Sequence, residues 1–202
     1  MRSLQLLQRM ISQKASVHSQ KWRTWEFSVD DYMRMGDAIG QLATWKLDLF
    51  ENKQTISDIR IALRKKVKEH PKEKHLAIID YLQLIMSTEK RERRDIEVGD
   101  MTRELKRLAI ELNIPIILLS QLSRGVEQRQ DKRPLLSDLK ESGNIEQDAD
   151  VVALLYRDDY YNRDVVDRNV IEIILGKQRN GPTGTVKLDF EREYGKFTNL
   201  VS

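Results

Sequence analysis

Two near-unbroken apolar runs separated by an amphipathic helix constrain this chain more than any other feature. The runs are HLAIIDYLQLI (His75 to Ile85) and IPIILLSQ (Ile114 to Gln121). Between them, GDMTRELKRLAIELN (Gly99 to Asn113) repeats Met101, Leu105, Leu108 and Leu112 at helical spacing. Apolar runs of strand length that do not alternate indicate strands covered on both faces, and parallel strands need a helical crossover between them. The segment therefore predicts a parallel β-α-β unit. DVVALLYR (Asp150 to Arg157) supplies a third strand of the same kind. The stretches NVIEIILGKQ, TVKLDFE and GKFTNL follow closely on one another with glycine-rich turns between them, which predicts antiparallel hairpins. The fold class is α/β, a mainly parallel sheet followed by C-terminal antiparallel hairpins.

The part before these strands is mostly helical. SLQLLQRMISQK places Leu4, Leu7, Met10 and Ile11 at helical spacing. SVDDYMRMGDAIGQLA opens with Ser28 and Asp31 arranged as a capping box, with aspartate in place of the usual glutamate. TISDIRIALRKKVKEH reads as a helix capped at Thr55, striped by Ile59, Leu63 and Val67, and ended by Pro71. LDLF (residues 47–50) alternates like a short strand, and the charge run EKRERRD (residues 89–95) reads as an exposed loop. One domain is expected, with 1–73 as its helical part and 74–202 as its strand-bearing core.

Composition narrows the functional classes. At 40% hydrophobic and 33% charged residues, the chain supports a core and a soluble surface. The 35 basic and 32 acidic residues leave a net charge of only +3, so any nucleic-acid binding must come from local patches. Without cysteine there are no disulfides, no thiol catalysis and no cysteine-ligated zinc. The apolar runs are too short to span a bilayer, and the N-terminus lacks the apolar core of a signal peptide. A soluble intracellular domain is expected.

In an open parallel α/β sheet, ligands bind at the carboxyl ends of the strands. The first run reaches Asp80 there, a carboxylate placed either to hold the water shell of a magnesium ion on a nucleotide or simply to end the strand. The second run ends at Gln121, whose amide can orient a water or sense a phosphate without changing charge, or can be a polar rim residue. Lys140, Glu141, Ser142 and Gly143 form a polar segment in which a glycine lets main-chain N–H groups approach a phosphate; by composition alone it is a polar loop. Trp22 and Trp25, interleaved with cations, suit base stacking or helix packing, and packing is the favoured reading. His18, His70 and His75 lack metal-ligand spacing. In GKQRNGPTG, Lys177 and Arg179 lie two apart on an extended chain and point to one side, toward an anion.

Taken together, IIDYLQLI, the stretch from IPIILLSQ to DADVV, and GKQRNGPTGTVKL closely resemble the C-terminal ATPase domain of DnaB-type replicative DNA helicases. The resemblance covers nearly the whole chain and is most specific from Lys74 onward. It implies a RecA-like P-loop NTPase core that works in a ring, a hexamer in the complete protein. ATP and magnesium would lie between subunits, with single-stranded DNA held by loops in the channel. By resemblance, Asp80 is the Walker-B aspartate that holds magnesium through water, and Gln121 couples nucleotide state to the DNA loops. Lys140, Glu141 and Gly143 grip the DNA backbone. Lys177, Gln178 and Arg179 belong to the nucleotide site, with Lys177 and Arg179 reaching the γ-phosphate held by the adjacent subunit. A cytoplasmic location, bacterial or phage-encoded, is implied, with helicase loader and primase met through other regions.

The departure from the family is equally specific. No Gly-x-x-x-x-Gly-Lys-Ser/Thr occurs; the pairs Gly176-Lys177 and Gly195-Lys196 have Ile171 and Phe190 where the first glycine belongs. Met1 aligns just after the family's catalytic glutamate, so an N-terminally truncated domain is expected, with the flank of the second strand exposed as an apolar edge. The chain alone is then expected to be inactive. The alternative is a non-catalytic interaction protein that caps or modulates a helicase ring.

Overall fold

The computed structural model describes residues 2–52, 55–86, 94–142, 145–162, 164 and 168–200, with the side chains of residues 94 and 140–142 outside the description. The chain divides into two compact units. One comprises Met1–Asn52, Arg157–Ile173 and Val186–Ser202; the other comprises Lys53–Tyr156 and Ile174–Thr185.

In the first unit, α1 (Ser3–Ala15), the single turn α2 (Lys21–Thr24) and α3 (Val29–Ala43) form the helical part. The capping box expected at Ser28 and Asp31 is present: the Asp31 N–H donates to Ser28 Oγ at 3.1 Å, and the Ser28 N–H donates to Asp31 Oδ2 at 2.9 Å. Ala15, Val17, Met35 and Ala38 make a small core, with Ile11, Trp22 and Phe27 packed on it. Trp22 therefore packs as expected, and its Nε1 donates to Ser12 Oγ at 2.7 Å. Trp25 differs. It stays 68% exposed and meets Trp22 and Phe27 edge to face. Residues 47–50, expected as a strand, have no regular structure, and Leu47 and Phe50 are exposed. Two alternating apolar residues do not hold a strand that has no neighbour to pair with.

In the second unit, α4 (Ile56–Glu69) is capped by Thr55 and ends at His70, before Pro71. It packs on α5 (Arg94–Leu112), through Ile56 and Ile59 against Val98, Met101 and Leu105. Ion pairs Arg60–Glu104 and Arg64–Glu111 join the same two helices. The charge run at residues 89–95 lies largely outside the described residues. β1 (Ala77–Ile79) and β2 (Ile116–Leu118) pair in parallel, with Ala77 opposite Ile116 and Ile79 opposite Leu118, as the β-α-β pattern predicts.

Each strand is shorter than its apolar run. After Asp80 the chain turns into a 3-10 segment (Leu82–Leu84) that sends Leu82 and Ile85 into the core. The expected cover on both faces is also only half realised, because Ile78 is 63% and Ile117 46% exposed. One face packs on α4 and α5, and no other element among the described residues covers these two side chains.

The single turns α6 (Gly125–Gln128) and α7 (Ile145–Asp148) flank a second 3-10 segment, Leu136–Ser142. β3 (Val151–Tyr156) does not extend the parallel pair, a correction to the third parallel strand expected from the sequence. It stands at one end of a four-stranded sheet ordered β3-β4-β5-β6. Its burial alternates, with Val152, Leu154 and Tyr156 buried and Val151 and Leu155 exposed, so it presents one face to the core. After the turn α8 (Asp158–Tyr161), β4 (Val170–Gln178), β5 (Gly184–Glu191) and β6 (Lys196–Asn199) follow. The 179–183 turn between β4 and β5 is far too short for a parallel crossover. β5 and β6 pair antiparallel, with Phe190 opposite Phe197, and Gly195 closes their turn at a φ of 65°, which favours glycine. The C-terminal hairpins are thus present as expected.

Candidate functional site

The register of β1 and β2 brings Asp80 and Gln121 to the same carboxyl edge of the parallel pair. Both residues are exposed there. The main chain around them is bonded across the two strand ends: the Leu119 N–H donates to Ile79 O at 3.0 Å, and the Leu82 N–H donates to Leu119 O at 2.9 Å. Gln83 adds a clamp. Its Oε1 accepts from the Gln121 N–H at 3.3 Å, and its Nε2 donates to Ser120 Oγ at 3.2 Å and to Gln121 O at 3.4 Å. The backbone of Gln121 is thereby fixed while its side chain stays at the rim. Sequence reasoning misses Gln83, whose one signal is an amide interrupting an apolar run.

The loop leaving Gln121 is bonded onward to the segment expected to hold DNA. The Ser123 N–H donates to Asp138 O at 3.0 Å. Asp138 is buried, and its Oδ2 accepts from the Leu135 N–H at 2.6 Å and from Arg129 Nη2 at 2.8 Å. Arg129 also donates to Arg133 O at 2.7 Å. Lys140 and Glu141 sit in this 3-10 segment, whose Leu139 belongs to the main core cluster and whose Leu136 packs against it, partly buried. The side chains of Lys140 and Glu141, and all of Gly143, lie outside the described residues.

Lys177 and Arg179 do point to one side, as their spacing predicts, and they converge on the carbonyls of α7. Lys177 Nζ donates to Glu146 O and lies 3.4 Å from Gln147 O, while Arg179 Nη2 donates to Gln147 O at 2.8 Å. Arg179 is also paired with Asp150: its N–H donates to Asp150 O at 2.9 Å, and its Nη1 is 3.4 Å from Asp150 Oδ1. Lys106 of α5 bonds the other oxygen of that carboxylate. The hydrogen bond from Lys106 holds the Asp150 carboxyl below its ordinary range. The charges of Lys106, Arg179 and Lys177 act in the same direction, against the opposing effect of burial. Gln178 folds over its own turn, its Nε2 lying 2.5 Å from where a Cβ on Gly181 would fall. The hydrogen bonds and ion pairs seen among the described residues do not join Lys177 and Arg179 to Asp80 and Gln121. Asp150 and Lys106 are also absent from the sequence reading, since a carboxylate before an apolar strand and a lysine on an amphipathic helix carry no distinctive pattern.

Among the described residues no three His, Cys, Asp or Glu side chains gather as a metal cage. Asp80, exposed at the strand end, is a lone carboxylate of the kind that can hold a magnesium ion's water shell.

Comparison with known proteins decides the family. The model of the DnaB-like helicase C-terminal domain matches residues 1–199. The chain belongs to this family. The resemblance read from the sequence holds, and with it the fold class. Among DnaB-like relatives, the chain is 48% identical over 202 residues to the replicative DNA helicase DnaB of Geobacillus stearothermophilus, covering 99% of the chain and 44% of that protein. The chain thus spans under half the length of this curated relative. The solved ATPase domain of G40P superposes with a TM-score of 0.95 at 40% identity, covering 100% of this chain and 72% of that one. A DnaB-like replicative helicase, solved in a study of its interactions with primase, superposes with a TM-score of 0.95 at 40% identity, covering 100% and 49%.

Proposed function

We propose that the chain forms part of a ring-shaped replicative helicase that couples ATP hydrolysis at subunit boundaries to movement along single-stranded DNA and to duplex unwinding. The observation that carries the reading is the pair Lys177 and Arg179 at the end of β4. They lie side by side, partly exposed, on main-chain carbonyls. Two cations so held have donors to spare for a phosphate brought by a neighbour.

In this reading Arg179 stabilises charge developing on the γ-phosphate of ATP bound by the adjacent subunit. Such a finger contributes about 10³ to 10⁵ in rate in well-studied systems. Lys177 and Gln178 complete that side of the site. Asp80 holds the water shell of magnesium. Gln121 reports nucleotide state to the DNA-holding segment, and the bond from Ser123 to Asp138 supports that route. Lys140, Glu141 and Gly143 hold the DNA backbone through charge and main-chain amides, giving salt-dependent binding indifferent to sequence. The working assembly is a hexameric ring in the cytoplasm, bacterial or phage-encoded, that meets primase and a helicase loader through other regions. No helix among the described residues is long and apolar enough to cross a membrane.

These 202 residues hold no phosphate-cradling Gly-x-x-x-x-Gly-Lys-Ser/Thr loop. The chain by itself is therefore expected neither to hydrolyse ATP nor to unwind DNA. The test compares ATP turnover, with and without single-stranded DNA, by the 202-residue chain and by the same chain joined behind the preceding part of Geobacillus stearothermophilus DnaB. DNA-stimulated turnover by the joined protein and none by the chain alone is expected. A joined protein that forms rings and binds DNA yet never hydrolyses ATP would overturn the reading.

A further inference from the structure

The contacts around α7 place three things within one short stretch of chain. At its start, Ile145 is anchored in the core beside Leu139 of the preceding 3-10 segment. At its end, Asp148 Oδ2 accepts from Thr102 Oγ1 of α5 at 2.6 Å. Between them, the carbonyls of Glu146 and Gln147 take the hydrogen bonds of Lys177 and Arg179. Asp150 then closes the arrangement. It is the one carboxylate seen pairing with Arg179 among the described residues, and it is itself fixed by Lys106. The contact repeats one residue earlier on β4, where Leu136 of the 3-10 segment lies against Gly176, next to Lys177. The segment read as DNA-holding therefore packs against the strand end that carries the two cations through Leu136, while the cations themselves bond the carbonyls of α7, the element that follows it.

We propose that Asp150 is a positioning residue for Arg179, and that α7 makes the hold on Arg179 answer to a single-stranded nucleic acid bound at the preceding 3-10 segment. The proposal rests on the reading of that segment as the DNA contact. A guanidinium has five N–H donors in a fixed plane, so its direction is set by which acceptors it keeps. Here the guanidinium donates to one carbonyl of α7 and is ion-paired, at 3.4 Å, with one carboxylate just beyond α7. A shift of α7 along the chain moves the carbonyl relative to the carboxylate, and the guanidinium must turn to follow. Phosphates arriving at residues 136–142 act on the segment whose Leu139 shares the core cluster with Ile145 of α7, and Leu136 transmits the same displacement to Gly176. Asp150 keeps Arg179 aimed in the absence of nucleic acid and defines the state from which it turns. No bond is made or broken; the change is a redistribution of hydrogen-bond partners.

The test is nuclear magnetic resonance of the full chain with isotope-labelled arginine, titrated with oligo-dT, the Arg179 Nε–H signal being assigned with Arg179→Lys. The wild-type signal is expected at a position distinct from solvent-exposed arginines, moving as oligo-dT saturates the chain. In Asp150→Asn, which preserves shape and removes charge, the signal is expected at the solvent-exposed position, with the response to oligo-dT lost and the affinity for oligo-dT unchanged. A merely structural role for Asp150 would weaken binding without erasing the response selectively. Asp150→Glu, which restores the carboxylate, is expected to recover the response, and it decides the matter if Asp150→Asn fails to fold. Oligo-dT bound normally with Arg179 unmoved in the wild type would overturn the coupling and leave the reading of the DNA contact standing. No binding of oligo-dT would overturn both, while the signal of Asp150→Asn without DNA still decides whether Asp150 positions Arg179.

Discussion

Gly176 and Leu136 meet so closely that a Cβ on the glycine would lie 3.0 Å from Leu136 Cδ2 and 3.2 Å from its Cγ. Leu136 is partly buried and packs against the main core cluster, which limits how far it can withdraw. Gly176→Ala is expected to cost about 1–3 kcal/mol through overpacking. Urea unfolding followed by circular dichroism measures it, and an unchanged midpoint would show that the 3-10 segment yields easily.

Leu82 is fully buried, at 0% exposure, in the turn that follows Asp80. Its side chain fills the core between the strand pair and the helices, and its N–H bonds Leu119 O. Leu82→Ala is expected to destabilise the second unit by about 2–5 kcal/mol, the transfer loss and the residual cavity adding together. The same urea experiment reads the loss. A change well under 1 kcal/mol would place Leu82 in a site able to collapse around the smaller side chain.

Thr55 caps α4 reciprocally with Asp58: the Asp58 N–H donates to Thr55 Oγ1 at 3.1 Å, and the Thr55 N–H donates to Asp58 Oδ2 at 3.2 Å. Thr55→Ala leaves one of the orphan N–H groups of the first turn without its acceptor and is expected to cost about 1 kcal/mol. Hydrogen exchange of the amides in the first turn of α4 should quicken correspondingly, and unaltered exchange would show that water replaces the cap at no cost.

Asp31 gives the first unit an acid-sensitive point. The hydrogen bond from Lys21 holds its carboxyl far below the usual carboxylate range, assisted by the N–H and hydroxyl of Ser28 and opposed by burial. Arg34 Nη2 donates to its other oxygen at 2.9 Å. A folded-state pKa below the unfolded value of about 3.9 means the contribution is complete above that pH and is lost as pH falls through it toward the folded value. All three tryptophans, Trp22, Trp25 and Trp45, lie in the same unit, so their fluorescence follows its unfolding. Stability read this way is expected to drop below about pH 4 in the wild type, with a shallower slope in Asp31→Asn. Equal slopes would contradict the assignment.

Periodicity and chain order carried much of the fold before any coordinates. The helix with Met101, Leu105 and Leu108 inward, the caps at Ser28 and Thr55, and the parallel pair around α5 are local consequences of pattern, and pattern is what a sequence displays. The strand at 47–50 and the pairing of β3 were not legible in the same way. A strand exists only if a neighbour pairs with it, and which sheet an apolar run joins depends on packing far away in the chain. Val151 to Tyr156 is as apolar as a strand buried on both faces, yet it shows only one face to the core. The site divides along the same line. Asp80, Gln121, Lys177 and Arg179 stand in stretches that resemble the family, so a sequence alone singles them out as candidates. Gln83, Lys106 and Asp150 hold parts of that constellation in place, but they act through contacts between residues tens of positions apart.

The central claim is that Arg179 acts on a nucleotide held by a neighbouring subunit, and mixing subunits tests it most directly. One population carries the chain with Arg179→Ala behind an intact phosphate-binding part of Geobacillus stearothermophilus DnaB; the other carries Arg179 intact behind a disabled phosphate-binding part. Alone, each should hydrolyse ATP at least about 10³-fold more slowly than the unmutated joined protein. Mixed rings should recover DNA-stimulated turnover, because intact fingers then face intact nucleotide sites across the boundary. Mixed rings that assemble and stay inactive, or Arg179→Ala rings that turn over normally by themselves, would contradict the account.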